Sequence, residues 1–243
     1  MAAEIDLTLD EIVSLPADWH GAGTMSEVVL RAIAAHAARL PRISHSAETG
    51  SGKTTLLFSH LSEHHEVFAL NCGDSMTKVK HSKLFNAKSV VYIEGPSQLT
   101  LPKHVFEEKL QIALIDGPHA YPFPDLEYYY FYPHIAEGGL LAIDDINIPS
   151  IARMLEIVKA EDMFELLEVV ENTAFFRRTT APVIDPLGDD WWRQGINRSH
   201  YEYLMARSRN AGSSKLQRMG RFVPRKVKEL IPVKWKTALL RKL

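Results

Sequence analysis

The chain has 243 residues, 46% of them hydrophobic and 24% charged, with a formal net charge of −2. This is the balance of a folded domain with one sizeable core and excludes a disordered or fibrous chain. One cysteine, Cys72, rules out an internal disulfide framework and a cysteine-based zinc site, and fits a reducing cytoplasm.

The N-terminus, MAAEIDLTLDEIV, is acidic where an export signal is basic, and no apolar run reaches the roughly eighteen residues needed to span a bilayer. Thr24 to Leu40 repeats apolar positions at helical spacing behind Ser26, a good N-cap, and Pro41 ends the helix. Short apolar runs then alternate with helical stretches: RISHSA, TTLLFSHLSEH, EVFALN, VVYIEG, IALIDG and GLLAIDD. That rhythm is βαβ, and the continuous apolar runs LLAI and IALI suit a parallel sheet covered on both faces. The helix PSIARMLEIVKA precedes ELLEVVENTAFFRRT, two β-rich runs meeting at Asn172 as a hairpin, so the sheet ends mixed. The expected fold is α/β, a doubly wound, mostly parallel seven-stranded Rossmann-like sheet with helices on both faces. The organisation predicted is a domain over 1–180, an aromatic loop over 181–213 and a basic amphipathic extension over 214–243.

Ligands of open parallel sheets bind beyond the carboxyl ends of the strands. Those ends carry Glu48-Thr49-Gly50-Ser51-Gly52, Asn71, Glu94-Gly95-Pro96-Ser97, Asp116 and Asp144-Asp145. AETGSGKTT ends like a phosphate-binding loop, but Ala47 stands where the first glycine of that loop is required. Lys53 is therefore expected to be a solvated lysine at a helix start rather than a phosphate clamp. A nucleotide hydrolase remains the first rival reading, and a non-catalytic binding module the second.

The segment SVVYIEGPSQLTLP resembles the third-strand region of catechol-type O-methyltransferases, in which a Gly-x-Ser-Gln turn meets the adenine of S-adenosylmethionine. Gly95, Ser97 and Gln98 match that turn. IALIDGPHAY, a long helix and AEGGLLAIDDI are similar to the next two strands of the same family, and the likeness runs from about Ser44 to Asp145. It implies a class I S-adenosylmethionine-dependent methyltransferase. Glu48, Gly50, Ser51 and Gly52 would seat the methionine end, Asn71 the ribose with Asp74 as a second candidate, and Asp116 would also line the cofactor site. The resemblance sets Asp116, Asp144 and Asp145 as ligands of a divalent metal such as Mg²⁺, which would polarise an acceptor hydroxyl. It sets His119 where the family keeps a lysine base, and histidine, with an ordinary pKa of about 6.5, can accept a proton near neutrality.

The aromatic runs Tyr128 to Tyr132 and Trp191, Trp192, Tyr201 and Tyr203 are read chiefly as core or interface filler, with Trp191-Trp192 the better candidate for a lid. The basic tail interleaves Val227, Leu230, Ile231, Val233, Trp235, Leu239 and Leu240 with lysines and arginines, as an interfacial segment on an anionic membrane would. Nucleic acid ranks below that as a partner, and homo-oligomerisation stays open. The expected acceptor is the hydroxyl of a small molecule or glycan, and the expected location is cytoplasmic, with peripheral attachment to the inner face of a membrane as an option.

Overall fold

The computed structural model describes residues 2–210, with side chains described over 7–206. The chain divides into two compact units, one ending at Pro186 and the other beginning at Leu187.

In the first unit, α1 (Ala2–Ser14) and α2 (Glu27–Ala37) precede the sheet. Ser26 caps α2 as expected, accepting from the Val29 N–H at 3.3 Å, and Val29, Leu30, Ile33 and Ala37 form its buried stripe. There follow β1 (His45–Thr49), α3 (Lys53–Leu61), β2 (His64–Ala69), α4 (Ser75–His81), β3 (Val90–Glu94) and α5 (Ser97–Thr100). The second half comprises β4 (Leu110–Ile115), α6 (Phe123–Phe131), β5 (Ile135–Ile143), α7 (Pro149–Ala160), β6 (Phe164–Val170) and β7 (Thr173–Arg178). The helix expected to be long between β4 and β5 is the 9-residue α6. The sequence pattern had not singled out α1, which buries Leu9 and Ile12.

The seven strands lie in the order β3-β2-β1-β4-β5-β7-β6. The first five are parallel, and β7 runs antiparallel between β5 and β6. The fold is thus the doubly wound, mostly parallel α/β sheet that the strand rhythm predicts. The chain's direction across the sheet reverses between β1 and β4, so the crevice beyond their carboxyl ends is the topological switch point.

Side-chain alternation explains why the central strands read as unbroken apolar runs. In β4, Ile112 and Leu114 join Leu30, Ile33, Leu56 and Phe58 on one face. Ala113 and Ile115 join Phe131, Leu141, Met154 and Phe176 on the other. Each fully buried side chain of this size contributes about 1.5–3 kcal/mol, so both faces drive the same register. The β6–β7 hairpin turns at Glu171-Asn172, with Glu171 at φ 50° and the Asn172 carbonyl accepting from the Ile146 N–H at 2.9 Å.

The aromatic run of α6 is structural. Tyr128 stacks on Tyr132 at 5.1 Å, and the Tyr132 and Tyr129 hydroxyls donate to the carbonyls of Ile184 (2.9 Å) and Pro186 (3.0 Å). In the second unit, Gly195–Asn210 is helical (α8), within the segment read as a loop. There Trp191 lies 6.0 Å from Trp192 and 5.7 Å from Tyr201, ring to ring. The basic extension read over 214–243 lies outside the described residues. Among the described residues, no helix is long and apolar enough to cross a membrane.

Candidate active site

The turn after β1 is built around two glycines that are required for different reasons. Gly50 sits at φ +87°, and a Cβ there would lie 2.3 Å from the Asp116 carbonyl oxygen. A side chain is excluded by conformation and by space, and its absence brings the end of β1 against the end of β4. Gly52 has ordinary extended backbone, but a Cβ on it would lie 2.8 Å from Nε2 of His20. Its N–H donates to Thr55 Oγ1 at 3.1 Å as α3 begins. Ser51, half-buried, places Oγ 3.2 Å from the Tyr92 hydroxyl.

Glu48 is fully buried between sheet and helix. Its Oε1 accepts from the Thr55 hydroxyl and lies 3.2 Å from Nε2 of the equally buried His65, while Oε2 has no hydrogen-bond partner among the described residues. The expectation of a solvated Lys53 is corrected. Lys53 is 6% exposed, and its Nζ donates to the Leu15 carbonyl at 2.6 Å, which ties the chain after α1 to the start of α3. Burial holds its pKa below the ordinary lysine value. An ammonium used in this way is not extended toward a phosphate.

The segment after α1 continues along the same wall. The Gly21 N–H donates to the Gly73 carbonyl at 2.8 Å, and a Cβ on Gly73 would lie 2.4 Å from the Gly21 carbonyl carbon.

At the end of β2, Asn71 is exposed and both ends of its amide are engaged by one residue. Thr77 donates its N–H to Asn71 Oδ1 (3.1 Å), and Asn71 Nδ2 donates to Thr77 Oγ1 (2.9 Å). Asp74, at φ 60° at the start of α4, is exposed. At the end of β3, the Gly95 N–H donates to the Ala69 carbonyl at 3.0 Å. Gly95 and Pro96 line an open cleft with Glu94 and Leu99, Ser97 is buried at the start of α5, and Gln98 beside it is half-buried.

Beyond β4 and β5 the structure brings together Asp116, His119 and Asp145, whose ligand atoms all lie within 4.8 Å of one another. His119 Nε2 is 3.0 Å from Asp145 Oδ2. The Ser150 hydroxyl donates to the His119 carbonyl at 2.7 Å and pins the loop that carries the imidazole. Asp145 reaches the group by adopting φ 54°, which an aspartate tolerates better than most residues. Asp144 is not part of this group. Its N–H continues the ladder by donating to the Ile115 carbonyl at 3.0 Å, and its carboxylate accepts from the Thr173 hydroxyl of β7.

The crevice is strongly acidic. Burial first, and then the charges of Asp144, Glu48, Asp145 and Glu127, push the Asp116 carboxyl well above the usual carboxylate range. Two carboxylates and one imidazole at an accessible rim, crowded by further negative charge, suit a divalent cation with positions left for water or substrate. Among the described residues, no other cluster of this kind is present.

Glu127 was not singled out in the sequence. It lies fully buried in α6 beneath the turn and accepts from the Thr49 hydroxyl at 2.9 Å, while Thr49 Oγ1 in turn accepts from the Asp116 N–H at 3.0 Å. The Glu127 Oε1 has no hydrogen-bond partner among the described residues. Through Thr49, this carboxyl of α6 is joined to the ends of β1 and β4. Burial raises its pKa to about 7 against the opposing pull of its polar neighbours Ser97, Thr49 and Gly117. An acid set directly before the aromatic run of α6 was the local signal.

Residues 47–146 match the family model described as a methyltransferase domain. No curated protein matches the chain in sequence. Among solved structures, the chain is similar to a candidate O-methyltransferase from Klebsiella pneumoniae (TM-score 0.56, 12% identity, covering 71% of this chain and 90% of that one). It is also similar to the O-methyltransferase TomG from Streptomyces achromogenes, involved in tomaymycin synthesis and solved with S-adenosylmethionine (TM-score 0.54, 11% identity, 71% and 89%). A third is a candidate caffeoyl-CoA O-methyltransferase from Staphylococcus aureus (TM-score 0.50, 14% identity, 72% and 91%). At these identities the likeness is one of fold, and it agrees with the strand order. The chain thus has the Rossmann-like α/β fold of these methyltransferases, and its residues 47–146 resemble a methyltransferase domain.

Proposed function

We propose that the protein is an S-adenosylmethionine-dependent O-methyltransferase acting on a hydroxyl of a small-molecule or glycan acceptor. The observation that carries the reading is the His119–Asp145 pair, 3.0 Å apart beside Asp116, at the strand ends next to the Gly50 turn. The cofactor supplies an activated methyl group on a positively charged sulfur. The protein's own task is to hold the acceptor oxygen in line with that methyl and to remove its proton.

His119 does the latter. With Nε2–H donating to Asp145 Oδ2, the lone pair lies on Nδ1, which takes the hydroxyl proton. Asp145 fixes that tautomer and stabilises the imidazolium that forms. The turn Glu48–Gly52 seats the methionine end, and Gly95, Ser97 and Gln98 seat the adenine. Asp74 is better free to meet the ribose than Asn71, whose amide is occupied by Thr77. A divalent cation such as Mg²⁺, when bound, would be held by Asp116 and Asp145 with His119 as third donor, and would lower the pKa of the acceptor hydroxyl.

The test is a methyl-transfer screen against glycans and phenols, with and without a chelator, alongside calorimetric titration with S-adenosylhomocysteine. Turnover that is lost in His119→Ala is expected. Chelator-resistant turnover assigns His119 the base role alone, and chelator-sensitive turnover assigns the trio to a cation. Binding of ATP with Mg²⁺ in place of S-adenosylhomocysteine would overturn the function.

A further inference from the structure

His20 is 7% exposed, and its buried Nε2 has no hydrogen-bond partner among the described residues. The Ala22 N–H donates to the other ring nitrogen, Nδ1, at 3.3 Å. Nδ1 therefore acts as acceptor and the ring proton resides on Nε2. This buried N–H points at the glycine turn, since a Cβ on Gly52 would meet Nε2 at 2.8 Å. Gly52 is also the N-cap of the 9-residue α3 and has no side-chain oxygen with which to cap it, so the first amides of that helix are left to other acceptors beside His20. Burial and the nearby Lys53 ammonium keep the ring neutral.

The His20 N–H and the unshared amides at the start of α3 are donors, and the nearby Lys53 ammonium adds positive charge. Of the parts of S-adenosylmethionine, the sulfonium and the ammonium would be repelled, and the ribose and adenine both donate and accept. The carboxylate alone is purely an acceptor and negatively charged.

We propose that His20 Nε2–H, together with the first N–H groups of α3, binds the carboxylate of the cofactor's amino-acid moiety. His20 is then a binding residue supplied by the segment between α1 and α2. The inference rests on S-adenosylmethionine being the ligand.

The experiment compares S-adenosylhomocysteine with its decarboxylated analogue, S-adenosyl-3-thiopropylamine, by calorimetric titration of wild type and His20→Phe. The expected result is that His20→Phe weakens S-adenosylhomocysteine about ten-fold or more, the usual worth of a hydrogen bond to a charged group, while the analogue changes less than about two-fold. Equal losses for both ligands, or none for either, would overturn the role of His20 and leave the methyltransferase reading standing. Failure of the wild type to bind S-adenosylhomocysteine at all would remove both. Should His20→Phe not fold, ¹⁵N-histidine spectra of the wild type decide the matter. The His20 Nε2–H proton should shift with S-adenosylhomocysteine and not with the analogue, and an unmoved signal refutes the proposal.

Discussion

Glu127→Gln isolates one buried charge and predicts a pH-dependent change in stability. The carboxyl is raised from 4.5 to about 7 because burial penalises its charged form more than the polar groups of Ser97, Thr49 and Gly117 favour it. Between about pH 4.5 and about pH 7 the unfolded chain has released this proton while the folded protein still holds it. Stability therefore falls as pH rises through that window and is unaffected by this group on either side of it. At about 1.36 kcal/mol per unit, a rise of about 2.5 units is worth about 3 kcal/mol. Glutamine keeps an acceptor for Thr49 and cannot ionise. The stability of Glu127→Gln minus that of wild type should accordingly rise by about 3 kcal/mol between about pH 4.5 and about pH 8. Urea unfolding of both proteins across that range measures the difference directly. A difference constant to within about 0.5 kcal/mol would show that Glu127 ionises no later in the folded protein than in the unfolded chain, and would refute the reasoning.

Two further substitutions separate scaffold from chemistry. Gly50→Ala forces a side chain into φ +87° and to within 2.3 Å of the Asp116 carbonyl. It should cost about 2 kcal/mol or more and lower the melting temperature by about 5 °C, read by calorimetry. Asp145→Asn suits the φ 54° backbone and removes the charge behind His119. Stability should stay within about 0.5 kcal/mol while turnover falls about a hundred-fold, and wild-type turnover would dismiss the dyad.

The strands were legible because a sheet covered on both faces needs apolar residues at every position, and β4 and β5 supply them. The Ser26 cap was equally plain, its signal being local. The site was legible only by strand end. Asp144 and Asp145 are neighbours in sequence, and nothing local says which will take the left-handed conformation and turn toward His119 while the other meets Thr173. Lys53 illustrates the same limit from the other side. Its expected exposure followed from its place at a helix start, and its burial follows from Leu15, a residue 38 positions earlier. Glu127 and His20 act entirely through contacts of this kind, so residue type and spacing carried almost no trace of them.

The Gly21–Gly73 contact has a consequence for how the protein can be dissected. Two backbones meet there with no room for a methyl group on Gly73, joining the strip before the sheet to the bend after β2. That strip is held at one end by this clasp and at the other by the Lys53 ammonium on the Leu15 carbonyl, with His20 between them against the Gly52 turn. Excising it to obtain a minimal domain would remove both anchors and the ring packed on the glycine turn, so a shortened protein that failed to bind ligand would be reporting their loss.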